Sequence, residues 1–148
     1  MKEVLLKILK ADPRVILPKY ESEGASGMDL RAFLDSEQTI PPMGRVIIPT
    51  GLKIEVPEGY EAQVRPRSGL ALKTGVTVLN SPGTIDSDYR GDVNIILVNL
   101  STNNVTIKDG ERIAQLVIAP VCRSHVAEVG ELAQSVRGSS GFGSTGVH

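Results

Sequence analysis

Tryptophan is absent from this 148-residue sequence and aromatic residues make up only 3% of it, so the interior has to be built from valine, isoleucine and leucine. The single cysteine, Cys122, rules out an internal disulfide and fits a reducing, cytoplasmic setting. With no neighbour at metal-ligand spacing, it is expected to be a small buried hydrophobe. No stretch approaches the ~20 apolar residues of a membrane-crossing helix. The first ten residues are broken by charges and lack a small-residue cleavage site, so neither a membrane partner nor a signal peptide is expected. Neither sign of charge prevails: 16 basic residues face 17 acidic ones for a net charge of −1. The broad basic footprint of a nucleic-acid-binding protein is therefore missing. A His/Cys metal cage and a Gly-x-x-x-x-Gly-Lys-Ser/Thr phosphate loop are missing too.

What the chain has in quantity is short β-patterned segments separated by Gly, Pro, Asn and Asp. Its length suits one domain that buries roughly 68–70% of its unfolded surface. Val4–Leu9, Arg14–Leu17, Met28–Ala32, Arg45–Ile48, Leu52–Val56, Tyr60–Arg65, Asp92–Leu100, Val105–Ile107, Arg112–Pro120 and His125–Val129 all read as strands. Met28, Leu30 and Ala32 oppose Asp29 and Arg31; Tyr60, Ala62 and Val64 oppose Glu61, Gln63 and Arg65. Such spacing predicts an all-β sandwich, jelly roll or barrel. Ser68–Gly75 alone reads as a helix, opened by a Ser68 cap and closed by Gly75. The backbone N–H groups at its start, beside Arg67, make a natural anion site.

The richest stretch runs from Val78 to Val93. It reads as a β-hairpin that carries Asn80, Asp86, Asp88 and Tyr89 on its loop. A carboxylate can orient and deprotonate water, and a carboxamide presents a donor and an acceptor together, which suits a pyrimidine edge. A merely acidic, solvated loop would need none of this variety. Gln115 lies among apolar residues and must either tie the core together or face a polar pocket.

Three letter matches need context. Asn99-Leu-Ser and Asn104-Val-Thr fit glycosylation acceptors, which are idle without secretion. Gly141-Phe-Gly143-Ser-Thr-Gly146 fits a dinucleotide fingerprint, but the strand before it and helix after it are missing, so a Rossmann site is rejected. A Gly/Ser-rich terminus is by default disordered. This one holds Arg137, Phe142, Ser144 and Thr145: a cation, a stacking surface and two hydroxyls that suit a lid over a nucleotide.

Taken together, Ala25–Arg31, Pro66–Leu70, Asn80–Gly91, Gly110–Leu116 and Arg137–Gly146 resemble, in order and spacing, the five motifs of the trimeric dUTP pyrophosphatase (dUTPase) family. Two places depart from it: Ser140 stands where the tail motif has Gly, and Ser81-Pro82 differ from the commoner loop residues. The resemblance implies a jelly-roll-like, distorted β-barrel subunit with one short helix over residues 1–136. It also implies a homotrimer whose flexible tail, 137–148, closes over a neighbouring active site. Asp86 would be the catalytic residue, holding the attacking water. Tyr89 would underlie the sugar and exclude a ribose 2′-hydroxyl. Asn80, with backbone from Gly83, Thr84 and Ile85, would read uracil, and Asn94 would close that pocket.

By the same resemblance, Arg67, Ser68 and Gly69 would cradle the phosphates, Gln115 would support the phosphate and metal-water network, and Asp29 would act nearby. Arg137, Phe142, Gly143, Ser144 and Thr145 would close over the substrate. Water would attack the α-phosphorus of dUTP and expel pyrophosphate, with Mg²⁺ held by the triphosphate and its waters rather than by protein ligands. Two rivals have different signatures. A dCTP deaminase of similar fold would use a glutamate as its acid/base, and a non-catalytic trimeric β protein would bind nucleotide without turnover.

Overall fold

Two-residue periodicity is realised as ladders wherever a segment finds an edge to pair with. The computed structural model describes residues 2–146. Its order is β1 (Lys7–Lys10), β2 (Met28–Arg31), β3 (Gln38–Ile40), β4 (Arg45–Glu55), β5 (Tyr60–Arg65), α1 (Ser68–Thr74), β6 (Val76–Val78), β7 (Gly83–Ile85), β8 (Asp92–Asn99), β9 (Val105–Ile107) and β10 (Arg112–Pro120). One four-stranded sheet runs β1-β4-β8-β6, a second runs β2-β10-β5-β7, and β3 pairs with β9. Every pairing is antiparallel.

The inward rows of both sheets and of the β3–β9 ladder meet in one aliphatic cluster. Ile48, Ile95, Leu97, Leu30, Leu116, Ile40 and Ile107 lie at its centre. Each such side chain contributes roughly 1.5–3 kcal/mol when withdrawn from water. In β8 the alternation is plain: Val93, Ile95 and Leu97 are buried, whereas Asp92 and Asn94 are exposed. Among the described residues no helix is long and apolar enough to cross a membrane.

Several expectations are corrected by pairing that sequence periodicity does not reveal. Arg45–Ile48 and Leu52–Val56 are not separate strands; they merge in β4, whose register against β8 shifts between Pro49 and Lys53. Gly51 takes φ 70 there, so the turn-forming residues make a bulge instead of a break. Arg14–Leu17 forms no strand, although Val15 is buried. His125–Val129 also forms none: residues 121–136 run exposed past the end of β10. Cys122 lies on that stretch and is exposed, not buried. The helix begins one residue earlier than expected. Its N-cap is Arg67, with no side-chain cap bond, so Ser68 is its first residue and not its cap; Gly75 closes it in the left-handed conformation as expected.

Asn99 is fully buried and joins three segments. Its Nδ2 donates to Ile40 O (2.8 Å) and Asn103 O (2.7 Å), and its Oδ1 accepts from the Ser101 amide (2.9 Å) and hydroxyl (2.7 Å). Asn99→Ala is expected to cost about 2–3 kcal/mol, because it leaves the Ile40 carbonyl without its buried donor and unties the 99–103 turn from β3. A urea titration should show a lower midpoint with the slope unchanged; an unaltered midpoint would deny Asn99 this role.

Candidate active site

The stretch expected to be a hairpin behaves differently. β6 pairs with β8 in one sheet, while β7 crosses to the other and pairs with β5. The intervening residues therefore straddle two sheets rather than closing one ladder. Between β7 and β8 this crossing leaves a cavity of about 170 Å³.

Seven of the expected site residues line that cavity: Asn80, Gly83, Thr84, Ile85, Asp86, Tyr89 and Asn94. β7 is the last strand of its sheet, so among the described residues one of its edges has no strand neighbour. Backbone donors and acceptors on such an edge are open to a flat polar ligand. Gly83 leaves no spare space: a methyl group there would sit 3.2 Å from Asn80 Nδ2 and 3.2 Å from Val64 Cβ. Asp86 begins a turn closed by the Tyr89 amide, which donates to its carbonyl at 3.2 Å. The Asp86 side chain is exposed on the cavity wall.

A second group gathers on the outward face of the other sheet. Register places Gln115 of β10 opposite Asp29 of β2 and Arg65 of β5. Asp29, largely buried, is clamped by two cations: Arg67 Nε at 2.8 Å and Arg112 Nη1 at 3.2 Å. Arg67 Nη1 also donates to Arg112 O at 3.3 Å, and Gln115 Nε2 donates to Pro66 O at 2.9 Å. Gly27 lets the Gln115 amide lie close, since a Cβ would collide with Oε1. Arg67 and Ser68 open onto a cleft of about 580 Å³ that also includes Arg65, Ser81 and Pro82. Gly69 follows at the helix start, with open space where a side chain would project.

The loop around positions 80–83 thus borders both places: Asn80 and Gly83 face the cavity, and Ser81 and Pro82 face the cleft. Chemically, the first suits a small ring with polar edges. The second suits an anion, since Arg67 combines with amides at a helix start.

The tail joins neither group. Residues 137–146 form successive turns whose hydrogen bonds are local, such as Arg137 Nε to Ser140 O at 2.7 Å. Phe142 is fully exposed with φ 51, Gly143 has φ 83, and Ser144 and Thr145 are exposed. Val147 and His148, which complete the expected tail, lie outside the described residues. No strand precedes and no helix follows the Gly141–Gly146 segment among the described residues.

Arg112 joins the clamp on Asp29 although the sequence pattern does not single it out. Its signal was faint: a cation opening a strand, 83 residues from the carboxylate that it pairs with. Asp29→Asn should free Arg67 and raise KM for a phosphorylated ligand about tenfold with little loss of stability, a partial version of the 10²-fold penalty for a misplaced group. Steady-state kinetics would test this, and an unchanged KM would make the clamp purely structural.

A family model described as dUTPase matches residues 14–146. The deoxyuridine 5'-triphosphate nucleotidohydrolase of Fusobacterium nucleatum subsp. nucleatum is 52% identical over 146 residues, spanning 99% of this chain and 99% of the relative. That of Hydrogenobaculum sp. is 57% identical over 145 residues, spanning 98% and 99%. Among solved structures, the dUTPase of Staphylococcus bacteriophage 80alpha with dUPNHPP superposes with a TM-score of 0.87 at 27% identity, covering 97% of this chain and 99% of that one.

Proposed function

Because the chain belongs to the dUTPase family, we propose that it hydrolyses dUTP to dUMP and pyrophosphate, keeping uracil out of DNA and supplying dUMP for thymidylate synthesis. The observation that carries this reading is the one cavity that gathers Asn80, Asp86 and Tyr89 against the free edge of β7. Uracil pairs with the Asn80 amide and the backbone of Gly83, Thr84 and Ile85, with Asn94 closing the pocket. A 5-methyl group on the base would not be accommodated, in keeping with the tight fit of Gly83 against Asn80 and Val64. Tyr89 lies under the deoxyribose.

Asp86 takes a proton from a water whose oxygen forms a bond to the α-phosphorus. The bond from that phosphorus to the bridging oxygen breaks in line, and pyrophosphate leaves with the electron pair. Arg67, Ser68 and Gly69 hold the phosphates, and the Asp29 carboxylate keeps the Arg67 guanidinium aimed at them.

Among the described residues no three His, Cys, Asp or Glu side chains converge as a metal cage. The Gln115 carboxamide fits a supporting role at the water shell of a Mg²⁺ that would arrive on the triphosphate, with Asp29 acting nearby through Arg67. When bound, Mg²⁺ neutralises part of the phosphate charge and holds the chain of phosphates in one conformation.

The two sheets and the β3–β9 ladder are assigned to a jelly-roll-like, distorted barrel, residues 1–136, that assembles as a homotrimer with shared sites. The exposed stretch 121–136 carries Val126, Val129, Leu132 and Val136 in solvent, as expected of a segment that packs on a neighbour. The tail joins neither the cavity nor the cleft that flank the 80–83 loop, which suits a site completed by other subunits. The tail, 137–148, would reach a neighbouring site, with Phe142 on the base and Arg137, Gly143, Ser144 and Thr145 at the distal phosphates.

Pyrophosphate release measured with Mg²⁺ across the deoxynucleoside triphosphates and UTP tests the reading. Strong preference for dUTP is expected. Ammonia release from dCTP, or binding of dUTP without turnover, would overturn it.

A further inference from the structure

At Gly91 the space of the missing side chain is taken by the ring of Tyr89, part of the cavity wall. Gly91 is absent from the glycines with positive φ, so its backbone does not call for glycine. Space does. A Cβ built on Gly91 would lie 2.9 Å from Tyr89 Cε2 and closer still to Cζ and Oη. The tyrosine folds back over its own chain at this point, and its hydroxyl donates to Asp92 O at 3.0 Å. The turn that starts at Asp86 holds its backbone from the other side. Tyr89 itself is nearly half exposed, so the ring has solvent to swing into once its bond to Asp92 O is broken.

From this geometry we infer that Gly91 is a positioning residue for sugar discrimination: its bare Cα forms the seat on which the Tyr89 ring rests, and the ring's height in the cavity is set there. The inference rests on the proposed role of Tyr89 under the deoxyribose. Any side chain at position 91 lifts the ring off its seat. The ring then swings outward into solvent, its bond to Asp92 O is lost, and the floor that excludes a 2′-hydroxyl opens. The fold survives, because the displaced atoms are the far end of an exposed side chain rather than part of the core.

The test is a double-mutant cycle on the ratio of kcat/KM for dUTP to that for UTP, using the full chain, Gly91→Ala, Tyr89→Ala and the double variant. Thermal unfolding is followed in parallel. Gly91→Ala is expected to lower the ratio about tenfold or more, in the range of one methyl group in a fitted pocket. Its unfolding transition should stay close to that of the parent. In the Tyr89→Ala background the same methyl group should add nothing, since no ring remains to displace.

A lowered ratio in Tyr89→Ala with an unaltered ratio in Gly91→Ala would overturn the inference and leave the proposed activity standing. An unaltered ratio in Tyr89→Ala would remove the assumed role of the ring and the inference with it. If Gly91→Ala does not fold, the double variant decides: recovery of folding supports the collision with the ring, and failure shows that Gly91 acts through the backbone instead.

Discussion

Asp86→Asn should lower dUTP turnover about 10²–10⁴-fold, the usual loss when a general base is removed. The substitution is nearly isosteric, and the side chain is exposed, so stability should change by no more than about 0.5 kcal/mol. The carbonyl of residue 86 still accepts from the Tyr89 amide, so the turn that shapes the cavity remains. What changes is one capability: an amide oxygen can hold a water by a hydrogen bond but does not take its proton at neutral pH. Binding of a non-hydrolysable dUTP analogue should therefore persist while the chemical step collapses. Turnover within a few-fold of the parent would remove Asp86 from the mechanism.

Loss of the tail is expected to be almost as damaging. A chain ending at Val136 should fold with the parent's secondary structure, because the hydrogen bonds of residues 137–146 are local turns and Phe142 touches no core. Yet kcat/KM for dUTP should fall by about 10²-fold or more, as when a closing element no longer excludes water and fixes the reacting phosphate. Mixing such chains with Asp86→Asn chains should restore part of the activity. Each mixed assembly can hold a site that draws an intact Asp86 from one subunit and an intact tail from another. Full activity in the truncated chain would reduce residues 137–148 to a linker, and absence of any recovery would argue that sites are not shared.

Sequence periodicity located β10 to the residue because Arg112–Pro120 is bounded by Gly110 on one side and by a strand-ending proline on the other. It placed Asp29 on the outward face of β2 for the same reason, since Met28 and Leu30 point inward. The Arg67–Asp29–Arg112 clamp could not be read in this way. Its partners are 38 and 83 positions apart and meet only because β10 lies between β2 and β5, the strand that Arg67 follows.

The 78–93 segment shows the same boundary. Its residue types announced a polar site, but whether β6, β7 and β8 closed on each other or on other strands depended on edges supplied by β5 and β4. His125–Val129 alternates well enough for a strand and pairs with none among the described residues. Pattern therefore specifies which residues face in and out, whereas partners come from the fold.

Burial of the Asn99 amide carries a consequence for how the chain can be produced. In the lumen of a eukaryotic secretory pathway, the Asn99-Leu-Ser acceptor would be presented to the glycosylating enzyme before folding. A glycan attached there would occupy the nitrogen that must reach Ile40 O and Asn103 O. Such a molecule has no native state to return to.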